Sequence, residues 1–359
     1  MLSYRCLWPI VRRLPPEFAH ALGLNLLRAP IRLVPRPPDD PFTWNGLTFR
    51  NRIGIAAGFD KNAVCVRGVE RLGVGFIEVG TVLTLPWQGN LVSPRMKRLA
   101  DLRAIWNRLG FTSLGLEAAR RNLERVPRER RRGMIVAGNI GPHPGHLKSA
   151  TNRAQTTRNE FLHLIEELHP LVDLFVINLS SPNTPGLRSL LQSPDLAETV
   201  VVPVWRRLRE LDERAGRVGR TPLLVKLPPE DENRERWTEA SLKAVVDPLL
   251  LAGACSGFVA VNTSTRLALE HVHAPPADLP GGISGNPLRP EALRVVSLVR
   301  ALIGPDKLLV GCGGVMAPAD AVEFRRAGAD LVEMYSGMIY AGPGLPARCI
   351  AALAGTPVG

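Results

Sequence analysis

A single pattern recurs eight times between about residue 47 and the C-terminus. A short apolar run rich in β-forming residues ends in glycine or a polar residue, and a stretch of helical spacing follows. The apolar runs are 53–56, 75–79, 134–137, 174–177, 223–225, 258–261, 308–310 and 331–334. The helical stretches between them include 62–72, 114–126, 159–168, 196–215, 239–251, 290–302 and 318–327. Near-continuous apolar runs are what parallel strands become when helices cover the sheet. Eight strand–helix units predict a closed (β/α)8 TIM barrel rather than an open sheet. A chain of 359 residues with 45% apolar content is long enough and apolar enough to build one.

A barrel of this kind carries its chemistry at the C-terminal ends of its strands. Those ends are chemically rich here. The first run leads into Ala57-Gly58-Phe59-Asp60-Lys61, the second into Gly80-Thr81 and the third into Gly138-Asn139-Ile140-Gly141. The fourth ends at Asn178, the fifth at Lys226 and the sixth at Asn262-Thr263. The seventh leads into Gly311-Cys312-Gly313-Gly314 and the eighth into Tyr335-Ser336-Gly337. A lysine directly after a buried strand costs desolvation unless an anion meets it, which singles out Lys61 and Lys226. Glycines after two adjacent strands, with Ser336, suit a phosphate held by backbone N–H groups.

The fourth unit holds the densest polar burst. Leu174 to Ile177 reads as a buried strand, followed by Asn178-Leu179-Ser180-Ser181-Pro182-Asn183-Thr184-Pro185-Gly186-Leu187-Arg188. Two prolines and a glycine fix the loop's path while its amides and hydroxyls stay free. On these residues alone a catalytic loop and an ordinary surface turn are both open. Two connections, 81–108 and 180–195, are too long for plain βα loops, and residues 94–99 read as a small strand over the barrel mouth.

Residues 1–38 stand apart from the barrel pattern of 39–359. Two short apolar clusters, separated by Pro15-Pro16, are flanked by arginines at 5, 12, 13, 28, 32 and 36 against one acid, Glu17. Two basic amphipathic helices suit an anionic membrane surface, and they equally suit an arm packed on the barrel. Pro35, Pro37 and Pro38 read as a stiff linker. No apolar run reaches the ~18 to 20 residues of a membrane span, and Arg5, Pro9, Arg12 and Arg13 interrupt any signal-peptide core.

The net charge of +12 would draw anionic lipid, nucleic acid or an anionic substrate. The basic run from Arg120 to Arg132 lacks interleaved aromatics and reads as a solvated face, so no nucleic-acid partner is expected. Five scattered cysteines without a CxxC spacing indicate neither a disulfide framework nor a zinc site, and suit a reducing cytoplasm. His143 with His146, and His271 with His273, have suggestive spacing but no evident carboxylate partner, so no metal is expected.

Taken together, the residues from Asn178 to Arg188, Asn107-Arg108-Leu109-Gly110-Phe111, Ala56-Ala57-Gly58-Phe59-Asp60-Lys61, Gly281-Gly282-Ile283-Ser284-Gly285 and Tyr335-Ser336-Gly337 resemble the class 2, quinone-dependent dihydroorotate dehydrogenases. The resemblance covers nearly the whole chain, arm included. It implies one noncovalent flavin mononucleotide (FMN), oxidation of (S)-dihydroorotate to orotate in pyrimidine biosynthesis, and electron delivery to a membrane quinone. It places the enzyme peripherally on the cytoplasmic side of the inner membrane. By the same resemblance Ala57, Gly58, Lys61, Thr81, Asn139, Asn178, Lys226, Gly285, Gly314, Tyr335 and Ser336 contact the flavin. Orotate would meet Lys61, Asn107, Arg108, Leu109, Gly110, Phe111, Asn178, Asn183, Asn262 and Thr263. Ser181 matches the family's base, and His20 and Arg98 match positions near the quinone. A free serine is a poor base, so Thr184 with a bound water is expected to carry its proton away, and Ser181, Lys61 and Thr184 form the expected catalytic set. Serine at 181, where class 1 relatives carry cysteine, argues for class 2.

The chain departs from the family at several places. Val261 stands where threonine is usual, Gly138 and Pro142 stand where a larger apolar residue and a lysine are usual, and Leu85 and Trp87 alter the loop after the second strand. The competing readings are a soluble flavin barrel using fumarate or a nicotinamide, and a membrane-surface or RNA-binding barrel without catalysis.

Overall fold

All eight apolar runs become strands of one closed parallel barrel. The structure is a computed structural model that describes residues 4–217, 220–273, 275 and 279–355. Strands in chain order are β1 (Phe42–Trp44), β2 (Leu47–Phe49), β3 (Ile53–Ile55), β4 (Phe76–Val82), β5 (Met96–Leu99), β6 (Ala104–Asn107), β7 (Ile135–Ile140), β8 (Leu174–Asn178), β9 (Leu223–Leu227), β10 (Gly257–Ala260), β11 (Gly282–Gly285), β12 (Leu308–Cys312) and β13 (Leu331–Met334). The barrel runs β3-β4-β7-β8-β9-β10-β12-β13 and closes β13 onto β3.

Side chains alternate in and out along each strand, so each run feeds two cores. Ile77, Val79, Phe175, Ile177, Val225 and Phe258 face outward under the helices. Phe76, Ile135, Leu174, Val176, Leu224, Val259, Leu308, Val310 and Leu331 fill the barrel interior. Gly54 belongs to this packing, because a Cβ there would sit 2.3 Å from the ring of Phe76.

The sequence reading did not anticipate β1 and β2, an antiparallel hairpin that closes the N-terminal end of the barrel. Its turn is Asn45-Gly46, with φ of 44° and 79°, the left-handed pair that a tight hairpin turn needs. Phe49, fully buried, stacks edge-on to Phe76 with ring centroids 5.9 Å apart.

The proline-rich segment after the arm is not a free spacer. Pro37 is buried against Gly73, and Val34 joins the core. The arm forms two helices, α1 (Tyr4–Val11) and α2 (Pro16–Arg28). Leu27 is buried on the barrel, while Leu7, Ile10, Phe18, Leu22 and Leu26 are exposed. Among the described residues no helix is long and apolar enough to cross a membrane. The expected strand at 94–99 is β5, which joins β6 and β11 in a three-stranded antiparallel sheet over the mouth. The basic run is solvated only in part. Arg120 pairs with Glu117 and Glu124 at the surface, whereas Arg131 is buried against Asp173 at 3.0 Å.

Candidate active site

The same alternation that fills the barrel with aliphatic side chains turns polar at its C-terminal end. Two residues beyond Phe76, Ala137, Val176, Leu224, Val310 and Leu331 stand Glu78, Asn139, Asn178, Lys226, Cys312 and Glu333. Each is therefore aimed inward above the apolar layers. Lys226 Nζ donates to Glu78 Oε2 at 2.9 Å and to Glu333 Oε1 at 3.1 Å. Burial alone would lower the Lys226 ammonium's pKa, but the Glu333 and Glu78 carboxylates outweigh it and hold that pKa above its ordinary value. Burial raises Glu333, and the neighbouring Glu78 charge adds to it, bringing its pKa to about 8. Glu78 moves the other way: burial disfavours its charge, but Lys226 outweighs burial and keeps it below the usual carboxylate range.

A chain of amides runs outward from this trio. Asn139 Nδ2 donates to Glu78, and Asn139 Oδ1 accepts from the Thr81 hydroxyl. Asn178 Nδ2 donates to Thr81 Oγ1 at 2.9 Å. Asn178 Oδ1 accepts from the Ser180 hydroxyl at 3.0 Å, and Ser180 Oγ accepts from Asn262 Nδ2 at 3.0 Å. On the facing wall Lys61 Nζ donates to Thr112 Oγ1 at 2.8 Å, and burial lowers its pKa to about 8. Asn183 Nδ2 donates to Asn107 Oδ1 at 3.2 Å, which ties the loop after β8 to the sheet over the mouth.

That loop is anchored from beneath. Arg188 Nε donates to the Ser180 carbonyl at 3.1 Å, Nη1 to Glu230 Oε1 at 3.0 Å and Nη2 to the Thr263 carbonyl at 3.1 Å. Glu230, fully buried, also accepts from Ser264 Oγ and Thr265 N, both at 2.6 Å. Gly186 has φ 75°, a left-handed conformation that favours glycine at the loop's return, and the tip of the Arg153 side chain lies in the space a Cβ would take.

These groups enclose a cavity of about 170 Å³. Ala57, Gly58, Lys61, Thr81, Asn107, Leu109, Gly110, Phe111, Asn178, Ser181, Asn183, Lys226, Asn262, Thr263, Gly285, Gly314, Tyr335 and Ser336 all line it. Three of the residues expected at the flavin, the substrate or the proton outlet do not. Asn139 is fully buried behind Thr81 and Glu78. Arg108 points away to the Pro94 carbonyl at 3.1 Å. Thr184 lies beside Ser181 on a separate surface cavity of about 180 Å³. Asn183 Oδ1, Thr184 Oγ1 and Glu333 Oε2 are buried with no hydrogen-bond partner among the described residues.

A second, mostly apolar cavity of about 280 Å³ lies between the arm and the barrel mouth. His20 and Arg98 both line it. His20 Nδ1 is 3.3 Å from Tyr335 Oη, and burial, with the Lys61 charge, lowers its pKa to about 4, so the ring is neutral. Arg98 Nη1 donates to the Leu14 carbonyl at 2.6 Å. Met96, Ile105, Tyr335 and Ile339 line both cavities, so one thin wall separates the two.

Four functional groups escaped the sequence reading. Glu78 and Glu333 interrupt otherwise apolar strands, and a charge at an inward position of a buried strand is a signal in itself. Ser284 Oγ lies 2.7 Å from Ser336 Oγ, a contact between distant segments that leaves no local trace. Glu160 is the carboxylate partner that His143 and His146 lacked: it accepts from His143 N and pairs with His146 Nδ1. Among the described residues no cluster of three or more metal-ligating groups occurs.

Fold and site define a (β/α)8-barrel enzyme in which a polar, lysine-bearing cavity backs onto an apolar one under a helical arm. Residues 42–355 match the family model described as dihydroorotate dehydrogenase. The chain belongs to the dihydroorotate dehydrogenase family. It is 37% identical to a protein of Paraburkholderia phymatum named dihydroorotate dehydrogenase (quinone), covering 98% of each chain. It is likewise 37% identical to a protein of the same name from Leptothrix cholodnii, over 99% of each. Among solved structures it resembles the Eimeria tenella DHODH in complex with ferulenol, with a TM-score of 0.81 and 31% identity over 98% of this chain and 94% of that one.

Proposed function

We propose that this chain oxidises (S)-dihydroorotate to orotate with FMN and delivers the electrons to a membrane quinone, as a step of pyrimidine biosynthesis. The observation that carries the reading is the pair of abutting cavities, one polar with Lys61, Ser181 and the asparagines, the other apolar beneath the arm.

The residues present fit a flavin. Gly313 and Gly314, with φ of 126° and 83°, let the backbone after β12 come close to a bound phosphate, and Ser336 stands beside them on the cavity wall. Ala57, Gly58, Thr81, Asn178, Lys226, Gly285, Gly314, Tyr335 and Ser336 would hold the cofactor directly, with Asn139 setting Thr81 from behind. Bound there, the flavin supplies the two-electron acceptor that no side chain provides.

The chain's own residues do the rest. Orotate is a planar anion with imide donors and acceptors, which Asn107, Asn178, Asn183 and Asn262 can satisfy while Lys61 meets its charge. The orphaned Asn183 Oδ1 is a ready acceptor for a substrate N–H. The segment from Leu109 to Phe111, with Thr263 opposite, closes the pocket edge. Ser181 Oγ, which accepts from Asn183 N at 3.3 Å, is oriented to take the C5 proton. An alcohol is a poor base, so the adjacent unpartnered Thr184 hydroxyl offers the proton a way out through ordered water.

The exposed leucines of α1 and α2, flanked by arginine, would lay the arm on an anionic membrane from the cytoplasmic side, so that quinone enters past His20 and Arg98. Heat release and chromatography of the cofactor test the first half of the proposal. Reoxidation of the loaded, substrate-reduced protein by quinone in anionic liposomes tests the second. A protein that binds no FMN, or one that fumarate reoxidises and quinone does not, sinks it.

A further inference from the structure

The trio of Lys226, Glu78 and Glu333 poses a charge problem. One ammonium between two ionised carboxylates leaves the barrel interior with a net negative charge. That is the wrong sign for a pocket that must accept a hydride. Lys226 is 4% exposed, and Glu78 and Glu333 are 1% each, so water does little to screen them. Asn139 and Lys226 both donate to Glu78. Glu333 has one donor of fixed charge, Lys226 on Oε1, and otherwise lies beside Glu78 and the Cys312 thiol, while Oε2 is buried without a hydrogen-bond partner among the described residues and belongs to a residue that lines the flavin cavity. The asymmetry identifies which carboxylate is the easier to protonate.

We infer that Glu333 is the proton site that balances charge when a hydride enters the flavin pocket; the inference rests on the flavin reading above. A hydride leaving C6 of dihydroorotate carries one proton and two electrons, so the pocket gains one negative charge. The C5 proton leaves through Ser181. Where Glu333 is ionised beforehand, a further proton drawn from solvent binds it and restores the pocket's charge. When the two electrons pass to the quinone, the hydride's proton and the Glu333 proton are together the two that a quinol requires. Atoms and charge then close over one turnover. Glu333 is a positioning residue for charge and makes no bond to substrate.

The groups that face Glu333 support this assignment. Glu78 on β4 and Lys226 on β9 meet it across the barrel. On the neighbouring strand β12, Cys312 is in register with it. Burial, then the Glu333 charge, pushes the Cys312 thiol well above its ordinary range, so it stays neutral. On the other side its register partner is Gly54, which carries no side chain. Lys226 remains charged and Glu78 ionised across the neutral range by the directions of their shifts. Among Glu333 and the groups that face it, Glu333 alone titrates at about 8, and on the far wall of the cavity the Lys61 ammonium titrates in the same range. A negative charge arriving beside Glu333 raises its value further.

The sign follows. Below about 8 Glu333 already holds its proton before reduction, so reduction draws in only the proton at the flavin. Between about 8 and the higher value that Glu333 has beside the reduced flavin, it is ionised beforehand and takes up one more. The pH dependence of the flavin's midpoint potential, measured by redox titration of the loaded protein, reads this as protons per two electrons. Lys61 titrates near the same value and contributes alike to both proteins, so just above about 8 Glu333→Gln should take up one proton fewer per two electrons than the wild type, while below it the two should agree. Infrared spectroscopy of the FMN-free wild type gives an independent reading. A buried protonated carboxyl band should be present one pH unit below about 8, fade above it, and be absent in Glu333→Gln. A Glu333→Gln variant that takes up as many protons as the wild type above about 8, or a wild type without the carboxyl band, overturns the inference while leaving the flavin reading intact. A protein that takes up no FMN overturns the flavin reading instead. Should Glu333→Gln fail to fold, the wild-type carboxyl band still decides.

Discussion

Replacing Arg188 with leucine would cut the loop that carries Ser181 from its foundation. The guanidinium is 7% exposed and serves three acceptors, the Ser180 carbonyl, Glu230 and the Thr263 carbonyl. Removing one member of a buried ion pair costs about 3–5 kcal/mol, because the partner's charge is left uncompensated. Glu230 keeps two donors, Ser264 Oγ and Thr265 N, which places the cost near the low end, about 3 kcal/mol. Each abandoned carbonyl adds about 1 kcal/mol, for a total near 5 kcal/mol. That is a large part of the ~5–15 kcal/mol by which a domain is stable. At ~2–4 °C per kcal/mol the melting temperature should fall by roughly 10 °C or more. Thermal unfolding followed by circular dichroism measures it. Adding Glu230→Gln removes the stranded charge while keeping an acceptor oxygen, so the double variant should recover part of the loss. If Arg188→Leu costs less than about 1 kcal/mol, or if Glu230→Gln simply adds to the damage, the buried pair is not what holds the loop.

Phe49→Ala should cost about 3–5 kcal/mol, since it empties the fully buried plug beneath Phe76, and urea unfolding would show it. Removal of residues 1–38 should spare flavin content and reduction by dihydroorotate but slow turnover with long-tailed quinone in liposomes, because the arm forms one side of the apolar cavity. Unchanged lipid turnover would make the arm purely structural. Burial sets the Lys61 pKa at about 8, so orotate affinity by calorimetry should fall as pH rises through that value and the ammonium is lost. Lys61→Met should bind weakly with no such inflection. A wild-type affinity independent of pH would remove Lys61 from the substrate's charge partner role.

The sequence revealed the barrel because both faces of its strands are apolar, which leaves runs such as 174–177 unbroken. Most strand-end residues could be placed on the cavity wall because one topology sends every strand's C-terminus to the same mouth. The hairpin was legible in principle: Asn45-Gly46 between Phe42-Thr43-Trp44 and Leu47-Thr48-Phe49 is a turn signal between β-formers. The inward period of two also marked Glu78 and Glu333, had it been read beyond the apolar positions. Other features were not locally encoded. Glu230 is 42 residues from Arg188, and Glu160 lies on a helix 14 residues from His146. The burial of Arg131 depends on Asp173, 42 residues further on, so charge composition alone misplaced it.

Anaerobic stopped-flow of the FMN-loaded protein mixed with dihydroorotate follows flavin bleaching directly, for the wild type and for Ser181→Ala. The wild type should bleach, faster as pH rises. Ser181→Ala should keep its flavin, still bind orotate and bleach about 10²- to 10⁴-fold more slowly, the loss expected when a positioned base is removed. Ser181→Cys should regain part of that rate, because a thiol ionises near ~8.5. A wild type that dihydroorotate does not bleach would contradict the assigned reaction, and a Ser181→Ala variant that bleaches at the wild-type rate would contradict the assigned base.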